Sequence, residues 1–549
     1  MKRIALFVTL TLGLAACGAR TAETRNADMV VCAWIAGPDG FNPLVSVSSA
    51  STMIEDLIYT PLIDIGADLL PRWSTSLADR VDVQNGGKRY ILHLRRNARW
   101  SDGSLLKAKD VVFSIELGDN AGVIESHAAD FTLMRSLRAV DPSTVEITLA
   151  SPSPPFLENA LGSTVPLPEH ILHRYPPNSP QEAAFANTDA EFSQHPIVSG
   201  PWRIERNVPE SYLILARNPR YWGPKPALSR VAFRVYPQQD SLYAAVDAGE
   251  VDVTDIAPNL WRVHDRLRGN HAFVTWPWNV TFMLLPNYHD PEITWIHDAA
   301  IKRAMMYAID RTFIIKGIMS DQADLLNGPI PSFSPYYDRS LPKYRYDPAR
   351  ARSMLEADGW RLQSGVRRKG TQTLRFTLKT GGATDAVAVN VGELIQANLR
   401  AVGIDCVLQN EELQTFFSDL HNSRFQVALR GRILAPFPDD YAYYDTKQTR
   451  ANGGYNIGFY SNPAIDRAIE AARTAANPRA TQRALDAYQQ FAARDLPAIY
   501  LYSNRLGAVV PKNLRGYELT PNAPAALPMG LQFWRYASAG HSAAFLGVR

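Results

Sequence analysis

The thirteen residues Ile433 to Asp445, ILAPFPDDYAYYD, hold three acids, four aromatics and two prolines. Carboxylates this close can work as an acid–base pair, hold a cationic group, or cap the turns of their own loop. The rings of Phe437, Tyr441, Tyr443 and Tyr444 can stack on a sugar or flat ligand, or pack inward. Arg430 and Arg432 precede the loop, and such planar forks suit a carboxylate or phosphate, or solvent.

Elsewhere the residue types of catalysis are scarce. Ser104-Leu105-Leu106-Lys107 fits S-x-x-K and Lys379-Thr380-Gly381 fits K-T-G, two parts of the penicillin-recognising serine enzymes. That chemistry needs the serine at the start of a buried helix. Here it follows the turn Trp100-Ser101-Asp102-Gly103, and the intermediate S-D-N is missing. No nucleophile elbow, P-loop, dinucleotide glycine pattern, H-E-x-x-H or C-x-x-C occurs. His170 and His173 could share a helical face, but they lack a third ligand and read as surface histidines. The expectation is a binder, not an enzyme, with no metal and no cofactor; the serine enzyme is the alternative of a different class.

The elements that must position these residues are clearest in the second half. Asn462-Pro463 and Asn477-Pro478 each read as an N-cap followed by proline at the first helical position. Asp347-Pro348 opens another helix, which Gly359 closes, and Asp298 caps one bearing Ile301, Ala304, Met305 and Ala308 on its apolar face. Leu374, Phe376 and Leu378 alternate as a strand. A helical repeat from Val387 to Val402 follows, then Gly403 and the apolar run Ile404 to Leu408. That is a βαβ unit with parallel pairing. Tyr90 to Leu94 and Val145 to Leu149 are short alternating strands, so the chain before about residue 195 is more β-rich. Two styles imply at least two domains, and clefts between domains hold ligands.

The chain has 549 residues, 46% hydrophobic and 20% charged, enough for two to four domains. Lys2 and Arg3 precede an apolar run from Ile4 to Leu14, too short to span a bilayer and suited to export. The run ends in Leu14-Ala15-Ala16-Cys17-Gly18, which resembles the bacterial lipobox, in which the cysteine receives the lipid. An ordinary leader with an incidental Cys17 is the alternative. Cleavage there takes 57 basic residues to 55 against 54 acids, a net charge of +1 that suggests no nucleic acid. Gly18 to Asp28 reads as a tether. Cys32 and Cys406 remain, either as a disulfide or as two buried thiols.

Several blocks, in order, resemble the extracytoplasmic solute-binding proteins of peptide- and nickel-type ABC importers, family 5. They are Ile58-Tyr59-Thr60-Pro61-Leu62, then Tyr90 to Arg95 running into Trp100-Ser101-Asp102-Gly103 and Ala108-Lys109-Asp110-Val111. Ser199-Gly200-Pro201-Trp202, Arg217 to Trp222 and Ala248 to Asp252 follow. Ile301 to Arg311, and Asn456 with Tyr460 to Asp466, complete the set. The resemblance implies an α/β, two-lobed periplasmic-binding-protein-like fold of class II (cluster C), with an extra β-rich domain and a hinge-closing cleft. It implies a leader 1–16 and a lipid-anchored tether 17–28. Lobe I would comprise 29–63, 197–290 and 511–549, the β-rich domain 64–196, and lobe II 291–510. The expected protein is a periplasmic monomer, anchored by lipid to a bacterial membrane. It would deliver an oligopeptide-class solute to an inner-membrane permease with its ATPase.

In peptide-binding members the loop at 433–440 carries an Asp that holds the peptide's amino group. Laid gaplessly, that Asp falls on Pro436 and the family's Trp on Ile433, while Ala435, Phe437 and Asp439 keep the pattern. Proline offers neither charge nor donor. The ligand is therefore either a peptide anchored by another acid, such as Asp439 or Asp440, or a non-peptide solute such as a sugar-phosphate or opine-like compound. Local caps are the alternative role for both acids. The expected ligand-facing set is Phe41, Asn42, Trp276, Trp278, Arg432, Ile433, Ala435, Pro436, Phe437, Asp439, Asp440 and Tyr441.

Overall fold

The computed structural model describes residues 28–124, 131–256, 271–382, 386–449, 454–523, 527 and 529–537. The leader, Cys17 and the tether as far as residue 27 lie outside them. No helix among the described residues is long and apolar enough to cross a membrane.

Three sheets organise the chain. The first has the strand order Met29–Trp34, Arg230–Val235, Tyr212–Arg217 and Trp202–Val208, its first pair parallel and the others antiparallel. The second is antiparallel throughout, in the order Ala78–Gln84, Arg89–Leu94, Thr144–Leu149 and Met134–Asp141. It is the β-rich segment read from the sequence. The third runs Ala323–Leu325, Ile499–Pro511, His271–Pro286, Val427–Ile433, Arg375–Gly381 and Asp405–Glu411. Within it Arg375–Gly381, the helix Ala386–Ala401 and Asp405–Glu411 form the expected βαβ unit, with Phe376 opposite Cys406.

Two long strands join the lobes. His271–Pro286 has 16 residues, about 50 Å of extended chain, and pairs antiparallel with Ile499–Pro511. Toward one end Ala272, Val274 and Val510 pack in the core of the first sheet. Toward the other Met283, Leu284 and Ile499 to Tyr502 enter the core of the third. Their register shifts between Pro277 and Thr281, and again between Phe282 and Met283. Pro277 cannot donate to a ladder, so the pairing is interrupted where the strands pass between lobes.

Local signals explain the helices. Asn462, Asn477, Asp347 and Asp298 each accept a backbone N–H of the helix they precede. Cys32 and Cys406 are both buried free thiols, which decides the alternative left by their spacing. They belong to the cores of different lobes.

The blocks that carry the resemblance hold backbone. Trp100 is fully buried in the β-rich core, and Asp110 accepts the N–H of Lys107 at 2.7 Å and of Glu169 at 3.1 Å. Arg311 is buried and donates to the carbonyls of Leu326 (2.6 Å), Tyr500 (3.2 Å) and Tyr344. Asn218 donates to the Gly200 carbonyl at 2.8 Å, and Gly200 itself donates to Ile58 at 2.7 Å. A Cβ on Gly200 would stand 2.6 Å from the Ile58 carbonyl carbon. Gly200→Ala should therefore lower the urea midpoint, by an amount equivalent to about 1–3 kcal/mol of overpacking. An unchanged midpoint would mean the two segments can separate freely.

Candidate functional site

A cavity of about 830 Å3 separates the loop after strand Val427–Ile433 from the short π-helix Phe156–Ala160 of the β-rich domain. Ile433, Ala435, Pro436, Asp439 and Tyr441 wall it on one side, and Glu158, Asn159 and Gly162 on the other. Asn279 of the long crossing strand, and Asn522, complete it. Asn279 fixes the loop's entry: its Nδ2 donates to the Leu434 carbonyl at 2.7 Å, and its own carbonyl accepts the Leu434 N–H at 2.8 Å.

The loop's charges are spent within lobe II. Arg432 and Asp440 are both buried and form an ion pair, and the Tyr488 hydroxyl also donates to Asp440. Burial works to lower the Arg432 pKa, but Asp440 beside it holds it above the ordinary value. The Tyr443 ring lies under the guanidinium at 4.6 Å. Asp439 pairs with Arg473 at 2.9 Å and accepts the Tyr441 N–H at 3.1 Å. Burial raises its pKa even so. Phe437 is buried among Ile330, Ala472 and Leu485, with Tyr336 edge-on at 5.1 Å.

Among the described residues, Asn159 and Tyr336 bridge the cavity's walls. Asn159 accepts the Phe437 N–H at 3.0 Å and donates to the Phe437 carbonyl at 3.1 Å. The Tyr336 hydroxyl donates to Glu158 at 2.7 Å. Among the described residues the second carboxylate oxygen of Glu158 is buried without a partner, and burial pushes its pKa up to about 7.

The model of the bacterial extracellular solute-binding proteins, family 5, matches residues 72–455. The chain belongs to that family. It is 24% identical over 538 residues to the oligopeptide-binding protein AppA of Bacillus subtilis, covering 95% of this chain and 96% of the relative. It is also 24% identical to the nickel-binding periplasmic protein of Escherichia coli, over 83% and 85% of the two chains. The structure of Bacillus subtilis AppA with a nonapeptide matches with a TM-score of 0.73, covering 93% of this chain and 99% of that one, at 24% identity. NikA of Brucella suis with Fe(III)-EDTA matches with 0.78 over 92% and 99%, at 22% identity. These likenesses carry the two-lobed α/β fold of family 5.

Of the residues expected at a family 5 ligand site, Ile433, Ala435, Pro436, Asp439 and Tyr441 line the cavity. The others lie outside that lining. Phe41 is fully buried in the lobe I core, and Asn42 bonds the Ala186 carbonyl and the Leu44 N–H. Trp276 is buried with Leu506, Ala508 and Ala523, and Trp278 donates to the Ala523 carbonyl at 3.2 Å. Phe437 packs in the core, and Arg432 and Asp440 are buried as an ion pair through Nη2 of the arginine. Glu158, Asn159, Asn279, Arg473 and Asn522 line the cavity without having been singled out. They lie in four distant segments, and no local pattern links them. His170 pairs with Asp102, and His173 with Glu169, so the two do not share a ligand. Lys379, on a strand of the third sheet, is tied to Glu411 and Asp419, and Ser104 lies outside the strands with its hydroxyl bonded to Asp102.

Asp440→Ala should destabilise the protein by about 3–5 kcal/mol, because it strands Arg432 as a buried charge. Denaturant unfolding measures this, and a loss below about 1 kcal/mol would show that water reaches the arginine. Glu158 gives a pH test. Its ordinary pKa of 4.5 is raised to about 7 with the walls in contact, so closure takes up a proton. The contribution to closure is complete below the ordinary value and is lost as pH rises through about 7. The radius of gyration from X-ray scattering should grow between about pH 5 and about pH 8, and Glu158→Gln should flatten that response.

Proposed function

We propose that this protein is the binding component of an ABC importer, capturing an oligopeptide-class solute between its lobes and delivering it to a membrane permease driven by an ATPase. The observation that supports it is the cavity itself. It is walled from both sides of the crossing strands, and its volume suits a short peptide or another small solute, within the ~300–1,000 Å3 of ligand sites. A ligand touching both walls stabilises the closed arrangement selectively, which is hinge closure. The names of the relatives support the peptide class. In this reading 29–63, 197–290 and 511–549 form one lobe, 64–196 the β-rich domain and 291–510 the other lobe. Ile433, Ala435, Pro436, Asp439 and Tyr441 contact the ligand. The protein works as a periplasmic monomer held to the membrane through lipid on Cys17.

A second reading rests on Pro436. It faces the cavity where peptide binders of the family carry the amine-holding Asp, and Asp439 beside it already has Arg473. A sugar-phosphate or opine-like solute would not need that acid. Thermal unfolding with mixed tri- to pentapeptides separates the two. A ligand at about 100 times its Kd adds about 2.7 kcal/mol, a measurable rise in midpoint. Peptides should produce it. No rise with peptides, and a rise with sugar-phosphates or opines, would replace the first reading with the second.

A further inference from the structure

Two arginines lie close together beneath the binding loop. Arg430 and Arg432 are two residues apart on the strand Val427–Ile433, so their side chains leave the same face, while Gly431 and Ile433 are exposed on the other. Ile433 lines the main cavity and neither arginine does. Both guanidiniums lie over the Tyr443 ring, that of Arg430 at 5.4 Å from its centre and that of Arg432 at 4.6 Å.

Their donors lack acceptors. A guanidinium only donates. Arg432 gives Nη2 to Asp440, but its Nε and Nη1 are buried with no partner among the described residues. The half-buried Arg430 makes no side-chain hydrogen bond or ion pair among them. The Tyr500 hydroxyl, near Arg432 and Asp440, is also buried without a partner there. Charge is unbalanced in the same place. Asp440 acts on Arg432, and the Tyr488 hydroxyl already shares that carboxylate. The groups that act on Arg430 are Tyr443, Arg432 and Tyr444, with no carboxylate among them. Asp439 is held by Arg473. Two guanidiniums therefore share one carboxylate, and burial, reinforced by Arg432, lowers the Arg430 pKa. Water accepts such N–H groups but leaves the charge unbalanced, whereas an anion answers both. A surplus of one positive charge in a closed place matches a small, singly charged ion better than a phosphate.

We propose that Arg430 and the free N–H groups of Arg432 hold a small, singly charged inorganic anion of the chloride type beneath the binding loop. Seated there, the ion balances the second guanidinium near the strand end from which the cavity-lining loop departs. The assignment is independent of what the main cavity binds.

The test is thermal unfolding with sodium gluconate exchanged for sodium chloride at constant ionic strength, so that screening stays the same throughout. The wild-type midpoint should rise with chloride and level off, as it does for a ligand that binds the folded chain. Arg430→Gln should lose that rise and, in gluconate alone, unfold at or above the wild-type midpoint, since it removes an unbalanced charge. A packing role for Arg430 would lower the midpoint equally in both salts and leave the chloride response intact, which overturns the assignment. Wild-type crystals grown without chloride and soaked in sodium bromide should show an anomalous bromide peak in contact with Arg430 and Arg432. If Arg430→Gln does not fold, the wild-type titration and this peak decide. No saturable rise in wild type overturns the site, and a bromide peak there without such a rise marks an adventitious ion only. A rise with sodium formate but none with chloride overturns the inorganic ion in favour of a carboxylate.

Discussion

Arg432 stands one residue before the end of a central strand, and Asp440 lies eight residues later, yet the two meet in a place closed to water. An unpaired guanidinium there would cost several kcal/mol, so the chain between must fold back until the carboxylate arrives. That requirement shapes the binding loop. It throws Ile433, Ala435 and Pro436 outward to the cavity and drives Phe437 inward against Ile330, Ala472 and Leu485. Tyr488, from the helix Pro478–Asp495, donates to the same carboxylate and ties the loop to the body of its lobe. The loop is thus organised without help from a ligand, which spares any ligand the cost of ordering it.

The contacts across the cavity have a different character. One asparagine clasping a backbone segment, and one tyrosine on a carboxyl group, are polar contacts of about 1 kcal/mol each after exchange with water. Closure held by so little can be decided by whatever fills the space between the walls. The crossing strands permit this. Their apolar residues are anchored in two separate cores, and their pairing breaks at Pro277. Rotation there disturbs few hydrogen bonds.

Much of the fold was legible because its signals are local. Proline after an asparagine or aspartate marked helix starts, and alternation marked the βαβ unit and the β-rich strands. The family blocks were legible too, but they proved to be brackets: Asp110, Asn218 and Arg311 hold backbone groups and do not line the main cavity. The site was half legible. Aligning the loop picked out Ile433, Ala435, Pro436, Asp439 and Tyr441, which face the space. It also picked out Arg432 and Asp440, because an ion pair eight residues apart looks in sequence like two free ligand contacts. Glu158 and Asn159 were missed because their importance comes from the opposite wall, more than 270 residues away for the Asn159–Phe437 pair.

Charge is divided unevenly along the cleft, and that division constrains what can lie in it. In the main cavity Asp439 is offset by Arg473, and Glu158 is drawn toward its neutral form. Recognition there must rest on shape and on the neutral dipoles of Asn159, Asn279 and Asn522, which are insensitive to salt. A smaller recess beside it shares Ile65, Gly162 and Asn522 with the cavity and gathers Glu55, Asp56, Asp64 and Glu518 around Arg72, so a negative group would meet repulsion there.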